Sequence, residues 1–437
     1  MGNSSCLKEF MKYASLNVLG MIGLSCYILA DTFFISKGLG SSGLTALNLA
    51  IPVYSFIHGS GMMLGIGGAT KYSICKSQQA SKLTSMIFMN TVFLAAVLAT
   101  LFFLAGLFFS PFITSLLGAD SQVFVMTDTY LRVILLFAPA FMMNDILVCF
   151  VRNDGNPRLS MMAMTMGSMA NILLDYLFIF PLRLGILGAV LATGLAPLIS
   201  IAILSRHWMA KKNGFHFTRV THPFGMSRWI LSLGFPSLVT EVSSGIVIII
   251  FNIIILGLQG NVGVAAYGVI ANLSLVVISI FTGIAQGVQP LMSSAYGYNR
   301  RSDIKSMLHY AVAAVLIISF ALYTAICLWA APITSAFNSE QNVLLQQIAE
   351  AGLRLYFTAI VFAGCNIIMS IFFTSMEMPL PAHVISLLRG LILMVPIAFV
   401  LSGLWGMTGV WLAFPVTELL TAGLSGWIYI RCRKRIL

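Results

Sequence analysis

Long apolar runs alternate with short polar or Gly/Pro breaks from one end of the chain to the other. Twelve runs approach the roughly 20 helical residues that cross a bilayer core about 30 Å thick. They are 14–36, 44–70, 86–110, 127–151, 159–181, 186–210, 229–257, 262–296, 307–330, 348–375, 383–402 and 406–430. Breaks such as Lys71–Lys82, Arg152–Arg158 and Lys211–Arg228 separate them. The runs are continuous, not alternating, so the pattern predicts helices and not the strands of a membrane barrel.

Composition narrows the class. A chain of 437 residues would ordinarily suggest two to four soluble domains at roughly 100–200 residues each. Here 59% of residues are hydrophobic and 8% charged, against about 25% charged in a soluble domain. So few charges cannot coat a water-facing surface. This excludes a cytosolic enzyme, a disordered chain and a nucleic-acid-binding domain, despite the net charge of +11. The seven cysteines (6, 26, 75, 149, 327, 365 and 432) are odd in number and contain no C-x-x-C. They give neither a disulfide framework nor a zinc signature. The first apolar run is too long for a secretory signal and lacks an A-x-A-like site, so it is expected to remain as an anchor. Met1-Gly2-Asn3-Ser4-Ser5-Cys6 lacks the Ser or Thr of a myristoylation motif.

Lysine and arginine favour cytoplasmic loops. With the N-terminus inside, 20 of the 24 basic residues fall on the inner side, among them Lys71, Arg152, Arg219, Arg389 and Arg431. Only Lys37, Arg132, Arg183 and Arg354 fall outside. The basic balance therefore reads as topology, N-in and C-in, and not as a nucleic-acid surface. The chain also repeats. A shift of 221 residues places Ser81, Leu83, Ser85 and Met86 on Ser302, Ile304, Ser306 and Met307, and Gly188, Leu191 and Ala192 on Gly409, Leu412 and Ala413. Because the shift spans six helices, the halves are parallel repeats. The expected organisation is an all-α membrane protein with two pseudo-symmetric six-helix bundles, 1–211 and 229–437, joined by a cytoplasmic linker, 212–228. Two facing bundles suit alternating access with a cleft between them.

Ionisable residues inside membrane spans are costly and are functional candidates by default. Asp31, Asp145, Asp175, Glu241 and Glu418 qualify, and the charge sorting leaves no basic residue mid-membrane. Buried acids without internal cations point to protons, metal cations or cationic organic molecules. At about 1.5 Å rise per residue, Asp31 and Asp175 come to a similar depth near the outer ends of their helices, with Thr193 at the same level. Asn171 precedes Asp175 by four residues and shares its face. Such oxygens can hold a sodium ion or share a proton. Asp31 can alternatively reach the outer interface or Lys37. Asn144 and Asp145 lie nearer the cytoplasm, and Glu241 sits near the middle of its helix. Glu418 can serve a site or hold the last helix to its neighbours, and His58 can be a packing group or a proton relay. Most of the 24 Met and 31 Phe face lipid or core, while some suit a cleft for varied ligands. No G-x-x-x-x-G-K-[ST] is present, and Gly65, Gly67 and Gly68 read as close-packing glycines. ATP hydrolysis by this chain is not expected.

Arg152-Asn153-Asp154-Gly155-Asn156-Pro157, followed by Asn171-Ile172-Leu173-Leu174-Asp175, resembles the multidrug and toxic compound extrusion (MATE) exporters, in particular prokaryotic ones. So do Ala30-Asp31-Thr32 and Gly409-Val410-Trp411-Leu412-Ala413. The resemblance covers essentially the whole chain. It implies two six-helix bundles around a V-shaped cleft and export of amphipathic, often cationic drugs against inflow of protons or sodium ions. It further implies a coupling acid at Asp31, a cation site at Asn171, Asp175 and Thr193, and a substrate or secondary cation acid at Glu241. The chain departs from sodium-coupled relatives in its tenth helix, whose acids, Glu350 and Glu377, lie only at its two ends. The expectation is therefore a monomeric plasma-membrane antiporter, not an enzyme, with no cofactor and no ATPase subunit. The alternatives are a flippase for lipid-linked sugars of the same superfamily, whose anionic pyrophosphate would want basic residues in the cleft, and a channel or receptor.

Overall fold

The structure, a computed structural model, describes residues 3–218, 223–338 and 341–436. Met1, Gly2, Arg219 and residues 219–222 of the expected linker lie outside the described residues. The described residues are almost wholly helical and contain no strand. In chain order the helices are α1 (Asn3–Ser77), α2 (Ser81–Phe108), α3 (Ser110–Leu116), α4 (Phe124–Leu136), α5 (Ala138–Asn153), α6 (Pro157–Ile179), α7 (Gly185–Leu204), α8 (Arg206–Met209), α9 (Pro223–Gly297), α10 (Arg301–Phe337), α11 (Val343–Tyr356), α12 (Ile360–Ser375), α13 (Pro379–Leu387) and α14 (Met394–Ile436). A 3-10 turn at Phe357–Ala359 joins α11 to α12, and a π turn at Leu388–Ile392 follows α13.

Among the described residues, eight helical stretches are long and apolar enough to cross a membrane, or nine counting the bent pair α4 and α5. Three stretches are far longer than one crossing: 73, 72 and 55 residues. Each contains a glycine with positive φ that interrupts the helix: Gly40 (φ 66°, ψ −157°), Gly260 (φ 60°, ψ −154°) and Gly406 (φ 56°, ψ −132°). The first two conformations belong to a region that glycine alone occupies freely, so the chain can turn there at a single residue.

Several boundaries differ from the sequence expectation for physical reasons. The Lys71–Lys82 break contracts to residues 78–80. Both lysines stay in α1 because their long side chains find partners, Lys71 over the Trp229 ring at 5.5 Å and Lys76 on Asp154. The 127–151 run is two helices bent by 49°. Pro139 opens the second; proline has no N–H to give to the preceding turn and clashes with it.

The backbone itself repeats. α1 and α9 are both 75 residues long, and their starts, Gly breaks and ends are all 220 residues apart. The positive-φ positions recur in step: Gln79 with Asn299, Gly155 with Glu377, and Gly185 with Gly406, at spacings of 220 to 222.

The chain divides into two compact units. One comprises Leu19–Val242 with Ser293–Asn299; the other comprises the stretch ending at Val18, Ser243–Met292 and Arg300–Leu437. The first unit packs its inner core around Tyr72, Phe88, Phe150 and Phe215, all fully buried. The second packs Phe281, Phe357, Phe372, Phe373 and Trp411. Its Gly364 lets α12 lie against Val315 and Phe281, whose atoms a Cβ would meet at 2.5 and 3.3 Å. Large exposed apolar side chains, such as Leu107 and Phe108 on α2 and Ile317 and Phe320 on α10, form the surface that lipid covers.

Candidate functional site

Three helices of the first unit bring four of the predicted side chains together. Asp31 lies on α1 nine residues before the Gly40 break, and Asp175 lies one turn before the end of α6. Their carboxyl groups stand within hydrogen-bonding reach of each other. Both are buried, as are Asn171 and Thr193. Asn171 lies one turn below Asp175, and its amide donates to Asp175 Oδ2 at 3.0 Å while accepting from the Thr193 N–H at 3.3 Å. Thr193 Oγ1 donates to the Ala189 carbonyl at 3.2 Å. One oxygen of each carboxylate, Asp31 Oδ1 and Asp175 Oδ1, is buried with no donor.

This arrangement has a simple electrostatic consequence. Two adjacent carboxylates away from water repel each other and lack the solvation that would offset the repulsion. A proton between them, or a cation bound by their oxygens with Asn171 and Thr193, removes both costs. Among the described residues no group of three or more His, Cys, Asp or Glu has the arrangement of a transition-metal site.

Sequence reasoning missed Tyr130. Its hydroxyl, carried by α4, comes within hydrogen-bonding reach of Thr193 and close to both carboxylates. Tyr27, one turn before Asp31, shares a 2.9 Å hydrogen bond with Tyr54 in the second half of α1. Neither tyrosine stands out in a hydrophobic run; Tyr27 lies one turn before Asp31, a signal that Tyr130 lacks.

The remaining candidates separate into two groups. Asp145 on α5 bonds His58 Nδ1 through Oδ2 at 3.0 Å, and Glu241 packs beside Gly59, the neighbour of His58. Asn144, next to Asp145, leaves its buried Oδ1 without a donor. Glu418 lies in the other unit. Its Oε1 accepts from Arg389 Nε at 3.1 Å and Nη2 at 2.7 Å, and its Oε2 accepts from Asn366 Nδ2 at 2.7 Å. Ser425 Oγ donates to the Asn366 oxygen. The buried acids were expected to have no basic residue among them, and at Glu418 that expectation is corrected. Arg389 sits in the π turn within a helical run, its side chain 11% exposed against a Glu418 that is 1% exposed. Hence there is a buried basic residue, and Glu418 holds helices together.

A sixth buried acid was quoted in the sequence but not among the candidates. Asp154, in the Arg152–Pro157 segment, takes bonds from Lys76 Nζ, Tyr72 Oη, His207 Nε2 at 2.7 Å and the Gly214 N–H at 2.7 Å. Burial pushes its carboxyl up, but these four donors together hold it below the usual carboxylate range. They also tie the start of the expected linker to the first unit, where Phe215 is buried among Phe88, Phe150, Tyr72 and Trp208.

Comparisons with known proteins agree on one family. The MatE family profile matches residues 18–177 and 236–400. A multidrug export protein, MepA, of Staphylococcus saprophyticus is 24% identical over 440 residues, covering 99% of this chain and 95% of its own. Among solved structures, a multidrug resistance MATE family transporter of the MOP superfamily, in an outward-facing conformation, superposes with a TM-score of 0.90 at 22% identity, over 98% of this chain and 95% of that one. A mutant of the Vibrio cholerae MATE transporter VcmN superposes with a TM-score of 0.91 at 20% identity, over 99% and 98%.

Proposed function

Because the chain belongs to the MatE family, and is thus a multi-pass plasma-membrane transporter and not an enzyme, we propose that it exports amphipathic, mainly cationic drugs or xenobiotics by antiport with protons or sodium ions. The observation that carries this reading is the buried Asp31–Asp175 pair with Asn171 and Thr193 around it. The pair is unfavourable when empty and charged, and an ion relieves it. An ion that binds one conformation better than the other shifts the equilibrium between them. Alternating outward- and inward-facing states then couple ion inflow to drug outflow.

The twelve-helix, N-in and C-in arrangement belongs to the same reading. Eight long apolar stretches, the bent α4–α5 pair and one extra crossing for each of the three glycine-broken stretches supply twelve. The positive-φ positions that recur in step support two repeated halves, with 1–211 and 229–437 as bundles and 212–228 between them. Nothing in the site calls for an organic cofactor or an ATPase subunit, and a monomer has all four ion-site residues on one chain. The flippase alternative gains no support from Arg389, because Glu418 already neutralises it.

The test is ethidium uptake into inverted vesicles under an imposed proton gradient and, separately, a sodium gradient. Wild-type protein should respond to at least one. Asp31→Asn and Asp175→Asn mimic the neutral form, so each should lower gradient-driven uptake by about tenfold or more, while ethidium binding persists. Wild-type rates from both variants under both gradients would refute the coupling role.

A further inference from the structure

The last helix of the second unit ends in four basic residues within five positions: Arg431, Arg433, Lys434 and Arg435. No acid follows Glu418 in the chain, so the end of α14 supplies nothing to neutralise them. The apolar stretch that contains α14 runs to Arg433, which puts these bases at a membrane boundary. Basic side chains at other junctions are taken up by acids, Lys76 by Asp154 and, at 3.9 Å, Arg300 by Asp303. Arg431 and Arg433 are exposed, and among the described residues neither is paired with an acid. Arg431 is nevertheless held in place. Its Cζ lies 4.0 Å from the centroid of the Trp427 ring, one turn back on the same face. A guanidinium on an aromatic face is attracted by the ring and keeps its in-plane N–H groups for an anion. Trp427 is 50% exposed, and Ile430, its neighbour on that face, is 60% exposed.

We infer that this end of α14 seats the phosphate of an anionic phospholipid, with Arg431 as its ligand and Trp427 beneath the guanidinium. An indole has an apolar body and a polar edge, and suits the level where lipid tails meet headgroups. Arg431 stands four residues further on, about 6 Å beyond Trp427 along the axis, which is the step from that level to the phosphates. Lys434 falls on the same face by helical register and adds to the local positive charge. Exposed Trp427 and Ile430 offer apolar surface to acyl chains, which a soluble anion lacks. Topology asks only for basic residues on one side of the membrane. It does not ask for an exposed tryptophan under one of them. The inference does not rest on the export reading, because it concerns the lipid around the chain and not its cargo. A lipid held here fixes the depth of α14, the helix that also carries Glu418.

The experiment uses the full chain in vesicles of equimolar phosphatidylglycerol and phosphatidylcholine, with bromine on the acyl chains of one lipid or the other. Bromine quenches a tryptophan beside it, and each protein is read against the same protein carrying Trp427→Phe, which isolates the Trp427 signal. Quenching should show a preference for the anionic lipid of about fivefold or more at low salt, the effect of one basic residue near a charged surface. The preference should shrink in about 1 M salt, where charges are screened beyond about 3 Å. Arg431→Gln should lower it about fivefold. Lys8→Gln with Lys12→Gln is the control. It removes two exposed bases at the start of α1, in the same unit, and should leave the preference near that of wild type. All three side chains are exposed, so folding is spared. Equal quenching by the two lipids at Trp427 overturns the proposal. So does a preference that is unchanged in Arg431→Gln, or one lost equally in the α1 variant, because the lipid then answers to overall charge and not to this seat. Displacement of the lipid by inorganic phosphate at matched ionic strength would assign the seat to a soluble anion and overturn it too.

Discussion

Asp31 and Asp175 were legible in the sequence because helix geometry is one-dimensional. Counting residues from helix ends gives depth, which brought Thr193 to the level of the acids, and a spacing of four gives a shared face, which put Asn171 one turn from Asp175. The pairing of Arg389 with Glu418 was missed for the opposite reason. Charge sorting assigns a position by its nearest break, and cannot see a partner 29 residues away in the chain. That partner makes a prediction possible. Glu418→Gln leaves the Arg389 guanidinium buried without its counter-charge, and breaking a buried pair by removing one partner costs about 3–5 kcal/mol. Replacing both residues with apolar ones, Arg389→Met with Glu418→Leu, removes the uncompensated charge and should recover most of that loss. Thermal unfolding of the purified protein measures both. If the double variant is as unstable as the single, the pair is not the source of the effect. Transport by the double variant near the wild-type rate would confirm that Glu418 holds helices and does not bind cargo.

At the scale of elements, the apolar runs told where helices lie but not how they join. Gly40 and Gly260 fall in the breaks 37–43 and 258–261 between the apolar runs, and Gly406 opens the last run, but the runs do not show that helix continues up to and beyond a single interrupting residue. The turn is made by conformation alone. None of the three has an atom within 4 Å of a hypothetical Cβ, so alanine there meets no neighbour and only backbone strain remains. Gly40→Ala and Gly260→Ala should each lower stability by about 1–3 kcal/mol. Gly423 is the control: it too has nothing within 4 Å but lies in α14 with helical φ, so Gly423→Ala should be neutral or stabilising by up to about 1 kcal/mol. Unfolding midpoints of the three variants check this, and equal effects at all three positions would remove the role of φ. The Asp154 junction was equally hidden, since its donors come from Tyr72, Lys76, His207 and Gly214, far apart in the chain. Asp154→Asn should cost about 1.5–3 kcal/mol, the range for a hydrogen bond to a charged group, and should free residues 211–216 to proteolysis. The pH dependence follows from the depressed carboxyl. Its folded-state value lies below the unfolded one, so its stabilisation is complete above the ordinary carboxylate range near about 4 and is lost as pH falls through the folded value. Wild type should therefore lose stability on acidification in a window that Asp154→Asn lacks, read from unfolding midpoints against pH.

For the whole molecule, the decisive arrangement is which ends face the cytoplasm. Charge supports the N-in reading, because the basic residues at the α1–α2 and α9–α10 junctions fall on one side of an even number of crossings. The reading can be tested by labelling with a thiol reagent that does not cross membranes, but the fold decides which positions are informative. Ser77 and its equivalent region are poor choices: Ser77 is buried and its hydroxyl donates to the Ile74 carbonyl, so a cysteine there would resist reagent from either side. Gln78, in the same junction, is exposed, as is Ser302 near the start of α10, the counterpart of Ser81. Ser41 is exposed next to the Gly40 break, on what should be the opposite face. Native Cys26 is also exposed, so the seven cysteines must first be replaced. In intact cells a cysteine at Ser41 should label, and cysteines at Gln78 and Ser302 should label only after the membrane is permeabilised. If Gln78 and Ser302 label from outside while Ser41 does not, the molecule is inverted, and inflow through the Asp31–Asp175 pair would have to be assigned the other direction. If Gln78 and Ser302 label from opposite sides, the number of crossings between them is odd, and the parallel repeat itself fails.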